Sequence, residues 1–158
     1  MSANIQTGKS GRETAPKSSA WNPSLVVFAC NWCSYAGADT AGVSRIQHQP
    51  HFRMIRVMCS GRIQPGFVLR AFEKGADGVL VSGCHFGDCH YVFGNERAVE
   101  QFEKTRKVVH LLGLEPDRLR LEWISAAEGA RFAEVINDFT EKVRSLGPSP
   151  YHRDRKTA

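Results

Sequence analysis

The sequence has no long hydrophobic run. None of its apolar stretches approaches the ~20 residues that a transmembrane helix needs. The first twenty residues, MSANIQTGKSGRETAPKSSA, also lack the apolar segment of a secretory signal peptide. We therefore expect a cytoplasmic protein without a membrane span, in a compartment where thiols stay reduced and structural disulfides are rare.

The sequence has little net charge outside its two ends. The formal net charge is +5, but residues 1–20 and residues 148–158 each carry +2, which leaves about +1 for residues 21–147. This central part has no basic stripe of the kind that binds phosphate backbones, so nucleic acid is not expected as a partner. The composition of the ends predicts a disordered arm over residues 1–20 and a flexible basic tail over residues 148–158.

Motifs for substrate chemistry are missing as well. There is no G-x-G-x-x-G after the first predicted strand, no Walker motif and no arrangement of Ser, His and Asp typical of hydrolases. Nothing in the sequence therefore supports nucleotide binding or hydrolysis. We expect no catalytic residues and no small-molecule substrate.

What the sequence does contain is a regular alternation of strand and helix patterns in one domain, residues 21–147. The strands are predicted at 24–30, 52–59, 77–84 and 117–125, and the helices at 33–46, 65–75, 96–113 and 127–147. Such units predict an α/β fold, with a four-stranded parallel sheet, helices on both faces and the flavodoxin-like strand order 2-1-3-4. This order places the two amphipathic strands at the edges and the two apolar strands in the middle.

Five cysteines stand at or just after the ends of the predicted strands. Cys30, Cys59 and Cys84 close the first three strands, which are neighbours in the predicted order. Cys33 follows Cys30 by one helical turn, and Cys89 lies in the loop after Cys84. Because the carboxyl ends of parallel strands meet at one edge of the sheet, we expect the five thiols to converge there. Five cysteines in a cytoplasmic protein favour metal or redox chemistry over a disulfide scaffold.

Three kinds of site fit such a group of thiols. Four thiolates hold a 2Fe–2S cluster, a 4Fe–4S cluster or a structural zinc ion, and zinc would make the chain a docking module. The pair Cys30 and Cys33, at the start of a helix, would instead suit a thiol-disulfide oxidoreductase. A cluster is favoured, because zinc sites usually pair two C-x2-C motifs and a dithiol enzyme has no use for three further cysteines.

His85 and His90 directly follow two of the cysteines in the stretch GCHFGDCH. Histidine replaces cysteine on iron in Rieske centres. With five cysteines for four positions, histidine ligation is unnecessary in this chain. We expect both side chains to surround the cofactor without binding the metal, for example as hydrogen-bond donors to sulfur.

Longer motifs, in one order along the chain, resemble a known family. CNWCSYAGAD, RVMCSGR, FEKGADGVLVSGCHFGDCHY and RLRLEWISAAEG are similar to the delta subunit, an iron–sulfur protein, of methyl-viologen-reducing hydrogenase, over about residues 25–147. The resemblance implies a 2Fe–2S cluster and five characteristic cysteines, matched by Cys30, Cys33, Cys59, Cys84 and Cys89. It also implies an electron donor, which is a hydrogenase or a formate dehydrogenase in its place. The implied acceptor is the flavin-containing subunit of heterodisulfide reductase, where electron bifurcation takes place.

The resemblance therefore predicts a relay rather than an enzyme with its own substrate. We expect an electron-transfer subunit of an oxidoreductase complex, in which four of the five cysteines hold the cluster. The three cysteines at strand ends together with Cys89 are the favoured ligands. This assignment leaves Cys33 as the cysteine that does not bind.

Overall fold

The computed structural model describes residues 21–153, which form four strands and four α-helices in alternation. The strands are β1 (Leu25–Cys30), β2 (Phe52–Val57), β3 (Gly78–Gly83) and β4 (Leu119–Trp123). The helices are α1 (Ser34–Val43), α2 (Pro65–Glu73), α3 (Gly94–Leu111) and α4 (Gly129–Leu146). Short 3₁₀ turns lie at Ser60–Arg62 and Pro116–Arg118. None of the helices in this part of the chain is both long and apolar enough to cross a membrane.

The strands form one parallel sheet in the order β2-β1-β3-β4, which confirms the predicted topology. Leu25 at the start of β1 pairs with Phe52 on one side and with Gly78 on the other. Every residue of β3 is buried, whereas β2 has no fully buried residue. The difference follows from position, because a central strand has a neighbour on each side and is covered by helices on both faces.

Helices cover both faces of the sheet, and each face has its own hydrophobic core. Val27 of β1 packs in one core with Phe139 of α4, while the next residue, Phe28, lies in the other core with Phe72 of α2. This alternation is the period of a strand that is buried on both faces. Neither of these two cores contains a cysteine, so the sheet is packed independently of the thiols.

The predicted elements end within a few residues of the observed ones. The largest difference is at the end of α1, which stops at Val43 instead of continuing to residue 46. Arg45 adopts a left-handed conformation, with φ of 56°, and this conformation is incompatible with a continuing right-handed helix. The two 3₁₀ turns are not predicted from the sequence, since three-residue turns carry no periodic pattern.

A buried carboxylate at the amino-terminal edge of the sheet anchors the segment after α4. Asp77 is fully buried and accepts hydrogen bonds from the backbone N–H groups of Ser24 and Ser149, at 2.8 and 2.9 Å. Its carboxylate also lies 2.9 Å from Nδ1 of His152. Because an unpaired buried carboxylate is costly, these contacts make the segment part of the packed structure.

The predicted ends of the chain fall partly outside the described residues. The predicted arm, residues 1–20, lies outside them altogether, and so do residues 154–158 of the predicted tail. Residues 148–153 are described, and Ser149 and His152 among them contact Ala76 and Asp77, directly before β3. The polar composition of this segment does not indicate that contact, because the partner, Asp77, lies more than seventy residues away in sequence.

Candidate metal centre

Three cysteine side chains meet at the carboxyl edge of the sheet. The Sγ atoms of Cys30, Cys33 and Cys84, the cysteine trio, all lie within 4.8 Å of one another. The Sγ atoms of Cys30 and Cys84 are 3.8 Å apart. All three residues are buried, the most exposed being Cys33 at 6%. Such a group of sulfurs is close enough to share one metal ion or one cluster.

The strand pairing explains why the cysteine trio forms. Cys30 is the last residue of β1, Cys84 follows the last residue of β3, and the two strands pair in register as far as Ala29 and Ser82. The chain leaves β1 for α1 on one face of the sheet and leaves β3 for α3 on the other. This reversal opens a crevice between the strand ends, which is where parallel sheets bind ligands. Cys33 lies in the turn that enters α1 and reaches the same crevice.

The other two cysteines lie beside the trio. Cys89 packs against it from the loop after β3, and Cys59 comes from the segment after β2. Both sulfurs adjoin Gly94 at the start of α3. A Cβ atom at this position would lie 3.1 Å from Sγ of Cys89 and would collide with Sγ of Cys59. Glycine is therefore required at position 94, and the five thiols divide into a buried trio and an adjoining pair.

Two backbone segments hold the adjoining pair in place by close contact. A Cβ atom on Gly61 would collide with the carbonyl oxygen of Gly94. The 3₁₀ turn after Cys59 therefore lies directly against the first turn of α3. A side chain in place of Gly61 or Gly94 would push the 3₁₀ turn and the first turn of α3 apart. Cys59 would then move away from the other sulfurs.

Asn95, the second residue of α3, fixes the loop that carries Cys84. Its side chain is buried and donates hydrogen bonds to the carbonyl oxygens of Cys84 and His85, at 3.4 and 2.9 Å. Its Oδ1 accepts the backbone N–H of Glu96 at 3.0 Å. One side chain thus joins the amino terminus of α3 to the loop after β3, in which Cys89 also lies.

Burial and mutual hydrogen bonds separate the pKa values of the cysteine trio. Hydrogen bonds from Cys33 and then Cys84 lower the pKa of Cys30 to about 2. The hydrogen bond with Cys30 raises the pKa of Cys33 to about 11, and the pKa of Cys84 rises for the same reason, with burial adding to both shifts. Cys30 is therefore the thiol of the trio that ionises most readily. Metal binding requires the thiolate form of each cysteine ligand and so depends on pH.

The two histidines next to the cysteines have different contacts. Nε2 of His85 lies 2.7 Å from Oε2 of Glu128, which also accepts the backbone N–H of Ser125 at 2.7 Å. The hydrogen bond from Ser125, followed by the one with His85, lowers the pKa of Glu128 to about 2. The ring of His90 stacks on Trp32, with 3.9 Å between the centroids. Neither imidazole belongs to the close group of sulfurs, and their role around a cofactor stays a prediction.

Comparison with known proteins decides the family. The sequence model of the family described as methyl-viologen-reducing hydrogenase, delta subunit, matches residues 25–147. This chain belongs to that family. The resemblance recognised from the motifs around the cysteines is thereby confirmed, and the matched range includes all five of them.

Relatives of this chain occur in two forms. The iron-sulfur subunit of the F420-non-reducing hydrogenase of Archaeoglobus profundus is 49% identical over 136 residues, which cover 86% of this chain and 99% of the relative. The corresponding vhc iron-sulfur subunit of Methanococcus voltae is 52% identical over 128 residues, 81% of this chain and 89% of the relative. A subunit of the ferredoxin/F(420)H(2)-dependent CoB-CoM heterodisulfide reductase of Methanosarcina acetivorans is 50% identical over 135 residues, 85% of this chain but 17% of that protein. The domain therefore exists both as a chain of similar length and as a small part of a longer one.

The donor set of this chain fits an iron–sulfur cluster or a thiolate-bound metal. All atoms of the close group are sulfur, which suits iron–sulfur clusters and zinc and not the hard cations Mg²⁺ and Ca²⁺. The sulfurs come from separate loops at a reversal of the strand order, and two further thiols lie beside the trio. The trio brings three sulfurs together, whereas a cluster is usually held by four thiolates.

Several residues that build the site are missed by reasoning from the sequence. Gly94 and Asn95 form the dipeptide GN directly before the pattern of α3, a combination typical of a helix start. Glu128 has no such signal, because its partner His85 is 43 residues away.

Three aromatic residues flank the cysteines in the sequence and lie near them in the fold. Trp32, Phe86 and Tyr91 are all substantially exposed. Nε1 of Trp32 donates a hydrogen bond to the hydroxyl of Tyr91 at 3.4 Å, and Phe86 packs edge-on against Trp123. The contact between Trp32 and Tyr91 joins the turn of Cys33 to the loop of Cys89.

Proposed function

We propose that this chain is an electron-transfer protein that holds a 2Fe–2S cluster at the carboxyl edge of its sheet. The observation that carries the proposal is the convergence of three buried sulfurs within 4.8 Å, with two more sulfurs beside them. A bound 2Fe–2S cluster would supply reversible one-electron chemistry. The described part of the chain has no group evidently placed to act on a small molecule, so its contribution is to hold, shield and present the redox centre.

The residues around the sulfurs have distinct tasks in this function. Burial of the cysteine trio keeps water from its thiolates. Asn95 and Gly94 keep the loops in register, and constant loop geometry limits the rearrangement that accompanies a change of charge. His85 and His90 surround the site without ligating in this proposal, and the carboxylate of Glu128 orients His85.

Four of the five cysteines act as ligands in this proposal, and Cys33 and Cys59 are the two candidates for the cysteine that does not bind. The prediction from the sequence leaves Cys33 unbound. The geometry instead favours Cys59 for that place, because Cys33 belongs to the close trio and Cys59 adjoins it only through the pair beside Gly94. Variants of single cysteines distinguish the two assignments.

We infer that the partners are other proteins of an oxidoreductase complex in the cytoplasm. The donor is a hydrogenase or a formate dehydrogenase-type enzyme. The acceptor is the flavin-containing subunit of a heterodisulfide reductase or a related complex, called the acceptor subunit below. The assignment of the acceptor is supported by the heterodisulfide reductase chain of Methanosarcina acetivorans, which contains a domain similar to this one. Fusion places two domains permanently side by side. The flavin of such a partner carries out the bifurcation, and this chain passes single electrons to it.

Anaerobic purification of the full chain tests the cofactor. We expect about two irons and two acid-labile sulfides per chain, visible absorption, and an electron paramagnetic resonance signal on reduction, as for other 2Fe–2S proteins. One zinc per chain without colour would identify a structural docking module instead. A colourless, metal-free chain with a reversible disulfide between Cys30 and Cys33 would indicate a thiol-disulfide oxidoreductase.

Single Cys→Ser variants of all five positions test the ligands. Four variants should lose most of the iron and the reduced-state signal, and one should retain both. Retention in Cys33→Ser supports the assignment made from the sequence, and retention in Cys59→Ser supports the assignment made from the geometry. Retention in more than one variant would contradict a fixed set of four ligands.

Purification of a tagged chain from its own cells tests the partners. We expect the acceptor subunit and a hydrogenase or formate dehydrogenase in the complex, and reduction of the cluster by hydrogen or by formate. A complex in which neither compound reduces the cluster would contradict the proposed donor. That result would not affect the assignment of the cluster, which the iron and sulfide contents test separately.

A further inference from the structure

An apolar groove opens beside the cysteine pair on the surface of the protein. It has a volume of about 610 Å³. Its walls are Met58, Cys59 and Arg62 from the segment after β2, and Val92, Phe93 and Arg97 from the start of α3 and the loop before it. Of the five cysteines, Cys59 is the one that lines this groove. Whatever occupies the groove therefore lies next to the proposed redox centre.

The walls of the groove expose large apolar side chains. Met58 is 54% exposed, Phe93 is 55% exposed and Val92 is 79% exposed. Single exposed apolar residues are common on protein surfaces, but a contiguous group of them marks an interaction site. These residues border the sulfurs rather than lying at random on the surface.

The loop before α3 holds Val92 and Phe93 outward, and the backbone conformation of Val92 is an unfavourable one. Val92 adopts a left-handed conformation with φ of 67°, which is rare for a β-branched residue. Hydrogen bonds from the N–H of Val92 to the carbonyl of Cys89, and from the N–H of Phe93 to the carbonyl of Tyr91, close the turn. Strained backbone of this kind concentrates at binding and catalytic sites, where the exposed conformation is itself required.

Two arginines at the rim of the groove add positive charge. Within residues 21–153, neither Arg62 nor Arg97 forms a salt bridge with a carboxylate. Both also line an adjoining polar recess with Gln64 and Gln101. An arginine without an internal partner is available to pair with a carboxylate of another molecule, and the planar guanidinium makes this pairing geometrically specific.

We propose that this groove docks a surface segment of the acceptor subunit, with an apolar side chain against Val92 and Phe93 and carboxylates paired with Arg62 and Arg97. The inference rests on the proposed function, since the docked segment lies beside Cys59 and so brings the acceptor close to the cysteines. A protein segment fits better than a small molecule, because the groove is open to solvent and combines exposed apolar side chains with charge at the rim. The apolar contacts hold the segment, and the charges set its orientation.

Binding of the purified acceptor subunit from the same organism to the full, cluster-loaded chain tests the proposal. Phe93→Ser and Arg97→Glu should each weaken binding at least tenfold. Arg97→Glu should also make the binding affinity less dependent on salt concentration. Lys107→Glu and Leu111→Ser, on exposed positions farther along α3, are the matched controls and should change binding less than twofold. Hydrogen exchange in residues 58–62 and 91–97 should slow in the complex.

Iron content, measured on every variant, separates this proposal from the proposed function. A wild-type chain without iron overturns the function, whatever the variants do. If the loaded Phe93→Ser and Arg97→Glu chains bind the acceptor subunit as tightly as the loaded wild type, the docking site alone is overturned. If the loaded wild-type chain does not bind the acceptor subunit, both the docking site and the proposed acceptor are overturned, while the assignment of the cluster stands. A second copy of the chain, or a small molecule, that protects residues 91–97 when the acceptor subunit is absent would also overturn the docking site.

Discussion

The side-chain amide of Asn95 donates a hydrogen bond to the carbonyl oxygen of His85 at 2.9 Å. The same amide reaches the carbonyl of Cys84, so one buried group bridges α3 and the loop of the metal centre. The relationship matters because a buried carbonyl that loses its hydrogen-bond donor lowers the stability of the fold.

Replacing Asn95 with alanine should therefore destabilise the fold and loosen the centre. We expect the free energy of unfolding to fall by about 1–3 kcal/mol, the cost of unsatisfied buried polar groups. Urea unfolding and iron content measure the two effects. Gln101→Ala, on the same helix, serves as the control because its side chain makes no hydrogen bond within residues 21–153. Equal stability of the two variants would contradict the bridging role.

Arg118 should be a large contributor to stability at the opposite edge. Its guanidinium is fully buried and donates to the carbonyls of Asp77 and Gly147, while Nε donates to Glu115. Arg118→Met would leave these carbonyls without a donor, and each buried acceptor that loses its donor costs about 1–3 kcal/mol. The exposed pair of Arg106 provides the contrast, since Arg106→Met should cost less than about 1 kcal/mol. Thermal unfolding of both variants measures the difference.

The carboxylate of Glu128 should stabilise the fold, and this stabilisation should be lost in acid. Its pKa in the folded chain, about 2, lies below the ordinary value of 4.5, so the charged form is favoured by folding. The stabilisation is present above pH 4.5 and is lost as the pH falls from 4.5 toward 2. Urea unfolding of the metal-free chain between about pH 6 and pH 3 should therefore show a smaller loss of stability in Glu128→Gln than in wild type. Parallel curves would contradict this account.

Removal of the metal should leave the sheet folded. The two hydrophobic cores on the faces of the sheet contain no cysteine, so their packing does not require a bound cluster. After chelation under reducing conditions, we expect the far-ultraviolet circular dichroism to persist. Hydrogen exchange in residues 84–94, the loop before α3, should become faster. Global unfolding on loss of the metal would show that the cluster supports the cores after all.

Two valines with nearly equal exposure should respond oppositely to glycine. Val92 is 79% exposed in a left-handed conformation, and Val43 is 78% exposed at the end of α1. Val92→Gly relieves a backbone penalty of about 1–2 kcal/mol and should raise the melting temperature, even after the entropy gained by the unfolded chain. Val43→Gly should lower it, because glycine is a poorer helix former than valine. If Val92→Gly also weakens binding of the acceptor subunit, the strain is maintained for recognition.

The fold was predictable because its signals are local and repeated. Apolar runs such as that of β3 and the alternation in β4 indicate which strands are central and which lie at an edge, and the right-handed crossover rule then leaves few orders. The positions of Cys30 and Cys84 at strand ends follow directly from that topology. The contacts of Asp77 with Ser149 and of Glu128 with His85 were not predictable, because each joins residues that are distant in sequence and unmarked by any pattern.

The sequence by itself determined the strand order, the edge of the sheet at which the thiols lie and the family of the chain, because hydrophobic periodicity and motif order are properties of the linear chain. Only the tertiary structure decided how the five cysteines divide. The trio forms where β1 and β3 end side by side, and the remaining pair depends on how closely Gly61 approaches Gly94. That approach is a matter of packing between two loops and a helix, and no local preference of either glycine specifies it.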